Sequence, residues 1–343
     1  MKVSIALCVF NGEDFLEEQL ASIAAQTRLP DEVVVGDDGS TDRTMEILES
    51  WKNSVPFPVR ITRNPVNLRH TKNFEETVKR CVHEIVFFCD QDDVWMPEKI
   101  ERILRLFEGS PETLLVCHET QVVDSEGNGT GLTERTLRGR GNRTCSLRFL
   151  TPVNESAPIV SGCCMAVRRS FLQETLPFFC AHDVCIYAQA RARSGIRTLL
   201  DPPLMKYRFH GKNVSLCGSL KAQDQRDTEL EQSLYRLDVS RFWGHFAEIE
   251  EFRRRVEQMP ESASRTKTLR FLDFTVSHLT NRSRVQRNFW LFWPLWLFEI
   301  AALRYFRRDQ PFRSIFYDWK CGMLAPFRHF LHSGEDQFSG KKE

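Results

Sequence analysis

Four consecutive residues, Asp90, Gln91, Asp92 and Asp93, place three carboxylates within a few ångströms of chain. Acids that close repel one another unless a cation or hydrogen-bond donors sit among them. Hard oxygen ligands of this kind favour Mg²⁺ or Mn²⁺, usually with substrate phosphates completing the shell. The competing reading is a solvated acidic turn ahead of a helix, and a D-x-D-D pattern alone does not separate the two.

Such a cluster needs a strand end to hold it. Residues 84–89 (EIVFFC) are an apolar run of strand length, and Pro97 beyond them suits the first position of a helix. The acids then fall at the carboxyl end of a central strand, where open α/β sheets keep their ligands. VSIALCVF at residues 3–10 predicts the first, central parallel strand. Asn11-Gly12 breaks it, with Asn11 placed to cap a helix whose stripe is Leu16, Leu20 and Ile23. Val33-Val34-Val35 predicts a second buried strand. It stops at GDDGSTD, residues 36–42, where Ser40 or Thr41 is expected to cap a helix carrying Ile47, Leu48 and Trp51.

A strand at 59–61 and a loop at 64–70 come next, then a helix presenting Phe74, Thr77, Val78 and Cys81. Ile100, Ile103, Leu104 and Phe107 form a further helical stripe. Strands are expected at 114–117 and 196–200, core at 159–162, and a helix opening at His182-Asp183. This alternation predicts a doubly wound, mostly parallel sheet. Residues 124–143, rich in Gly, Asn, Thr and Arg, read as a long functional loop.

The chain has 343 residues, 41% hydrophobic and 27% charged, enough for a substantial core and an appendage. A net charge of +1 argues against bulk nucleic-acid binding. The 11 cysteines show no C-x-x-C pair or zinc spacing and read as reduced thiols. The start, MKVSIAL, lacks a signal-peptide pattern, so a cytoplasmic location is expected. From about Ser219 the text turns charged, basic and aromatic. Residues 289–298 (FWLFWPLWLF) are too short, and interrupted by Pro294, to span a membrane that needs about 20 apolar residues. Two readings remain for them: docking on the inner face of the cytoplasmic membrane, or ordinary packing on the rest of the protein.

Taken in order, Val3 to Asn11, GDDGSTD at 36–42, DQDDVW at 90–95, His182-Asp183 and YRFHGKNV at 207–214 resemble family 2 nucleotide-sugar glycosyltransferases of the GT-A fold. The last two blocks are similar to rhamnosyltransferase-type members that build bacterial surface polysaccharides. The resemblance covers residues 1–215. It implies an α/β, Rossmann-like, mixed and mostly parallel sheet flanked by helices, with a catalytic domain at 1–217 and a helical C-terminal appendage at 218–343. It also implies inverting transfer of a sugar, rhamnose among the candidates, from a dTDP- or UDP-sugar donor to a surface-polysaccharide or lipid-linked glycan acceptor.

On this resemblance Phe10, Asn11, Asp37, Asp38, Asn67, Lys72, Asp90 and His182 bind the donor. Asp92, Asp93 and His210 hold Mg²⁺ or Mn²⁺, and Asp183 is the general base. Each role has a plain alternative: a tight turn at Asp37-Asp38, a helix cap at Asp183, a structural imidazole at His210. Two departures bear on the sugar. Val184-Cys185 stand where aromatic residues usually follow the His-Asp pair, and Arg69 replaces the glycine of an Asn-Leu-Gly loop. A sugar-nucleotide nucleotidyltransferase would want a basic, glycine-rich loop after the first strand, where Glu13 and Asp14 stand instead. A nucleotide-binding, membrane-docking protein without catalysis is the remaining alternative.

Overall fold

A computed structural model describes residues 1–133, 161–210, 213, 245–287 and 293–297. Along the chain run β1 (Val3–Val9), α1 (Leu16–Ala24), β2 (Glu32–Asp37), α2 (Thr44–Lys52), β3 (Val59–Arg63), α3 (Arg69–Arg80), β4 (Ile85–Cys89), β5 (Val94–Trp95) and α4 (Lys99–Gly109). They are followed by β6 (Leu115–His118), β7 (Gln121–Val123), β8 (Gly129–Thr133), a single 3₁₀ turn (Gly162–Cys164), β9 (Met165–Arg168) and α5 (Arg169–Thr175). Then come α6 (His182–Ala192), β10 (Ile196–Leu199), β11 (Met205–Arg208), α7 (Phe246–Glu257) and α8 (Ala263–Arg287).

The main sheet has the order β10-β6-β9-β4-β1-β2-β3. All its pairings are parallel except those of β9, which runs antiparallel between β4 and β6. β1 and β4 are buried at every position, as strands covered on both faces must be. α3 lies close on β1 and β2. A Cβ on Gly36 would meet Thr77 Oγ1 at 2.1 Å, so only glycine lets the helix approach there. A small second sheet, β5-β11-β7-β8, stands beside the acidic cluster.

Several local expectations change. Asn11 does not cap α1. Its φ is 47° and its Oδ1 accepts instead from the Thr41 N–H at 2.8 Å, while α1 starts from a turn on the Gly12 carbonyl. α2 starts at Thr44, whose N–H donates to Asp42 Oδ1 at 3.0 Å; neither Ser40 nor Thr41 caps it. α4 begins at Lys99 rather than Pro97, because the Lys99 N–H first closes a turn on the Met96 carbonyl. The loop expected from 124 is in part a hairpin of β7 and β8, its turn tied by Asp124 Oδ1 to the Glu126 and Asn128 N–H groups. The remainder of that loop, residues 159–160, and residues 222–244 of the charged helical stretch lie outside the described residues.

Residues 1–133, 161–210 and 258–265 belong to one compact unit, and 245–257 and 266–287 to a second. In the second, Ile249, Phe252 and Val256 of α7 and Leu272 and Leu279 of α8 are buried, and Arg253 pairs with Asp273 at 3.2 Å. No described helix is long and apolar enough to cross a membrane. The described cysteines carry reduced thiols, all buried except the partly exposed Cys180.

Candidate active site

The site is built from loops at the carboxyl ends of β1, β2 and β4. The loops after β1 and β2 are stitched together by side chains. Asn11 N–H donates to Ser40 Oγ at 2.9 Å, Gly12 N–H to Thr44 Oγ1 at 2.8 Å, and Glu13 N–H to Asp42 Oδ2 at 3.1 Å. Gln91 fixes the other side. Its amide accepts from the Phe10 N–H at 2.8 Å and donates to the Phe10 carbonyl at 3.1 Å, and Phe10 itself is 47% exposed.

Asp37 and Asp38 are both buried. Asp37 accepts from the Ser40 N–H at 3.1 Å and pairs with Arg63 Nε at 3.3 Å. Asp38 spends its carboxylate on the 64–69 loop, accepting from Asn64 Nδ2 at 2.9 Å and from the Leu68 and Arg69 N–H groups at 2.8 Å each. Both acids thus have structural partners, Asp37 in the turn itself and Asp38 in the neighbouring loop. Asn67 belongs to the same arrangement, donating to the Asp38 carbonyl at 3.2 Å. Arg69, standing where the resemblance expects glycine, keeps glycine's left-handed backbone with φ 65°.

The acidic cluster is pinned by the buried Arg208. Its backbone N–H donates to Asp93 Oδ1 at 3.3 Å, its Nε to the Asp92 carbonyl at 3.2 Å, and its terminal nitrogens to Ser125 O and Glu18. His210 Nε2 lies 2.8 Å from Asp92 Oδ2, with the imidazole stacked on Phe15. Asp93 is 2% exposed, and its Oδ2 has no hydrogen-bond partner among the described residues. Burial, then the charges of Asp92 and Asp90, push its carboxyl well above the usual range. Lys99 is buried below. Its Nζ donates to the Cys163 carbonyl at 3.0 Å and sits 3.9 Å over the Trp95 ring. Burial draws that ammonium down from its ordinary value.

A buried carboxylate oxygen without a donor, beside two further acids, is what a divalent cation relieves, and the oxygen donors suit Mg²⁺ or Mn²⁺. The chain's own residues fit the expected metal. The grouping differs from expectation, however. Asp90, Asp93 and the Cys163 sulfur are the ligand atoms within 4.8 Å of one another, whereas Asp92 and His210 pair with each other.

On the α6 side, His70 Nε2 lies 3.3 Å from Asp90 Oδ1. Burial works against its charged form, but that contact and the fields of Asp90, Asp183 and Asp92 raise its basicity overall. Burial likewise acts to raise Asp90, and the hydrogen bond and charge of His70 bring it below the usual carboxylate range. Asp183 is the second residue of α6, and the N-cap is Ala181. Its Oδ1 accepts from the Val184 N–H at 2.7 Å, a first-turn contact made from inside the helix rather than from the N-cap position.

His182 is placed differently from expectation. It is 2% exposed, neither ring nitrogen has a hydrogen-bond partner among the described residues, and it packs among Phe74, Phe88, Phe178 and His70. It therefore does not orient Asp183 by a hydrogen bond. Burial, then the charge of His70, holds its pKa at about 3, so the ring is neutral. Gly162 makes room for it, since a Cβ there would meet His182 Nε2 at 2.2 Å. The half-exposed Lys72 ammonium pairs with Glu75 and Glu76 on its own helix. The residues that the sequence reading did not assign are Gln91, His70, Lys99 and Arg208. Arg208 lay within the quoted YRFHG block, and its burial was the missing signal.

The comparisons with known proteins agree with this geometry. The profile of glycosyl transferase family 2 matches residues 4–176. The dTDP-rhamnosyl transferase RfbG of Shigella flexneri is 26% identical over 250 residues, covering 68% of this chain and 82% of its own. An uncharacterised glycosyltransferase of Nostoc sp. is 27% identical over 235 residues, 66% of this chain and 70% of its own. Among solved structures, S. aureus TarS 1–349 in complex with UDP-GlcNAc has a TM-score of 0.56 at 16% identity, over 95% of this chain and 92% of that one. That is a likeness of fold, and the fold is the mixed, mostly parallel GT-A sheet flanked by helices. With half of its length, including the strand ends that carry Asp37 and Asp90 to Asp93, matched by the family's profile, the chain belongs to glycosyl transferase family 2.

Proposed function

We propose that the chain is an inverting glycosyltransferase that moves a sugar from a dTDP- or UDP-sugar to a hydroxyl of a surface polysaccharide or lipid-linked glycan. The observation that supports the reading is the His70–Asp90 contact beside the cluster that contains the orphaned Asp93 oxygen, with the charge of Asp183 also raising the His70 imidazole. Phe10 and Asp37 line the nucleotide end: Phe10 offers an exposed ring, and Asp37 a buried carboxylate held by Ser40 and Arg63. Asp90 takes the ribose. Asp92 and Asp93 would hold Mg²⁺ or Mn²⁺, whose chemistry there is to offset the charge growing on the departing nucleoside diphosphate. Asp183 takes the proton from the acceptor hydroxyl as its oxygen attacks the anomeric carbon from the opposite face.

Rhamnose is the favoured sugar, on the likeness to RfbG, which spans 82% of that protein. The region 218–343 is read as an appendage that docks on the cytoplasmic face of the membrane, with Trp293 and Leu297 each 46% exposed. The test is a donor screen: nucleoside diphosphate release from dTDP-rhamnose, UDP-glucose and UDP-GlcNAc with Mg²⁺ or Mn²⁺ and a lipid-linked acceptor. Release from one donor, dependent on acceptor, is expected. No release from any donor with any acceptor removes the catalytic reading.

A further inference from the structure

We propose that Cys163 turns the inner side of the acidic cluster into a mixed oxygen–sulfur site for a thiophilic divalent ion, Zn²⁺ first among them. The proposal rests on the transferase reading only for its functional consequence, because it shares Asp93 with the Mg²⁺ or Mn²⁺ set.

Carboxylate oxygens of Asp90 and Asp93 and the Cys163 sulfur lie within 4.8 Å of one another. A tetrahedral zinc site with ~2.0–2.3 Å bonds holds its ligand atoms roughly 3.3–3.8 Å apart, so small side-chain rotations close the spread. The independent observation is Asp93 Oδ2, which is buried and has no hydrogen-bond partner among the described residues. Lys99 is the neighbouring cation, yet its Nζ is engaged by the Cys163 carbonyl, by Met205 Sδ at 3.6 Å and by the Trp95 ring. It leaves the Asp93 oxygen unsatisfied, and by holding the Cys163 carbonyl it fixes the turn that presents the sulfur. Asp90 is the most exposed of the three and provides the way in, with a fourth coordination position left for water.

A thiol ligand separates this set from an ordinary Mg²⁺ site, since soft sulfur selects zinc-like ions and carboxylates suit Mg²⁺ and Mn²⁺. As the S–Zn bond forms, the Cys163 S–H bond breaks and its proton leaves to solvent; no electron transfer is involved. Zn²⁺ and the ion of the transfer reaction compete for the Asp93 carboxylate. Zinc is therefore an inhibitor of the Mg²⁺- or Mn²⁺-supported reaction.

The test uses the full-length chain and Co²⁺ as a spectroscopic stand-in for Zn²⁺. The wild type should show the near-ultraviolet thiolate-to-Co²⁺ charge-transfer band, and Zn²⁺ should erase it. Cys163→Ser should abolish the band and weaken Zn²⁺ binding by about tenfold or more, while Cys164→Ser keeps both. Circular dichroism checks that Cys163→Ser is folded. Should it not be, Asp93→Asn, with every thiol in place, should lower Zn²⁺ affinity by a similar factor. A wild type with no thiolate band overturns the site, as does a band that neither Cys163→Ser nor Asp93→Asn changes. The band is read without turnover: its absence from a protein that transfers sugar sinks only this proposal, and its presence in one that does not sinks only the transferase reading.

Discussion

His70 Nε2 and Asp90 Oδ1 lie 3.3 Å apart, and this contact joins the two halves of the candidate site. Asp90 directly follows β4, in the same acidic turn as Asp92 and Asp93. His70 opens α3 and feels the charge of Asp183 in the first turn of α6. His70→Phe keeps a ring against Phe74 and His182 but removes the donor to Asp90. Hydrogen bonds to charged groups contribute about 1.5–3 kcal/mol, so transfer should fall by roughly ten- to a hundredfold. His70→Gln should recover part of it. Steady-state kinetics on both variants decide the matter, and equal rates for wild type and His70→Phe would remove His70 from the site.

Asp183→Asn should separate chemistry from folding. A general base contributes about 10²–10⁴-fold, and kcat should drop by that order with donor affinity little changed. The melting temperature should hold, because Ala181 is the N-cap and an asparagine amide oxygen can still accept from the Val184 N–H. Near-wild-type turnover would end the assignment and turn attention to Glu155, which lies outside the described residues.

Asp92→Asn should weaken metal-supported nucleotide binding. Its carboxylate pairs with His210 and raises the Asp93 carboxyl. Calorimetric titration of UDP or dTDP should show a wild-type affinity that falls when Mn²⁺ is chelated, and a variant at least about tenfold weaker with Mn²⁺ present. Equal wild-type affinity with and without the ion would take the metal out of donor binding.

The parts of this fold legible in the sequence are those set by local pattern. The apolar runs of β1 and β4 and the stripes of α1, α3 and α4 need only periodicity to be seen. β9 escaped because MAVR is four residues long and enters the sheet antiparallel between strands far away in sequence. The caps expected of Asn11 and Ser40 failed for a related reason. Each side chain serves the other loop, some thirty residues away, and no local rule foresees that. Among site residues, acids clustered in short motifs stood out. His70 and Lys99 did not, since their meaning comes from Asp90 and from the Cys163 turn, which only the folded chain places beside them.

The appendage invites a test of its surface. Between Arg265 and Arg328 there are 12 Lys/Arg against 4 Asp/Glu, and each basic residue near an anionic surface contributes roughly 1 kcal/mol. Trp290, Arg304, Arg307 and Arg308 lie outside the described residues, while Trp293 is exposed. Co-sedimentation with phosphatidylglycerol vesicles should be strong at low salt and decline as salt is added. No binding at low salt would leave only the packing explanation for the aromatic run.

His182 gives a pH signature independent of catalysis. Its ring is caged by Phe74, Phe88 and Phe178, with His70 as the facing titratable group and Asp90 beyond it. In the unfolded chain the imidazole titrates near 6.5; in the fold it does so at about 3. Between those values the unfolded state binds the extra proton, so stability rises with pH across the window and is lost as pH falls below about 6.5. His118, buried and also held well below its ordinary value, acts with the same sign. At about pH 4.5 His182 alone accounts for a loss on the order of 2–3 kcal/mol. His182→Leu should be modestly less stable at pH 7, through lost ring contacts of about 0.5–1.5 kcal/mol. Its decline towards pH 4.5 should be shallower than the wild type's, because one titrating site is gone. Urea unfolding at both pH values measures the two slopes. Identical slopes would mean that the imidazole is not held neutral in the fold, and the buried aromatic cage would need another account.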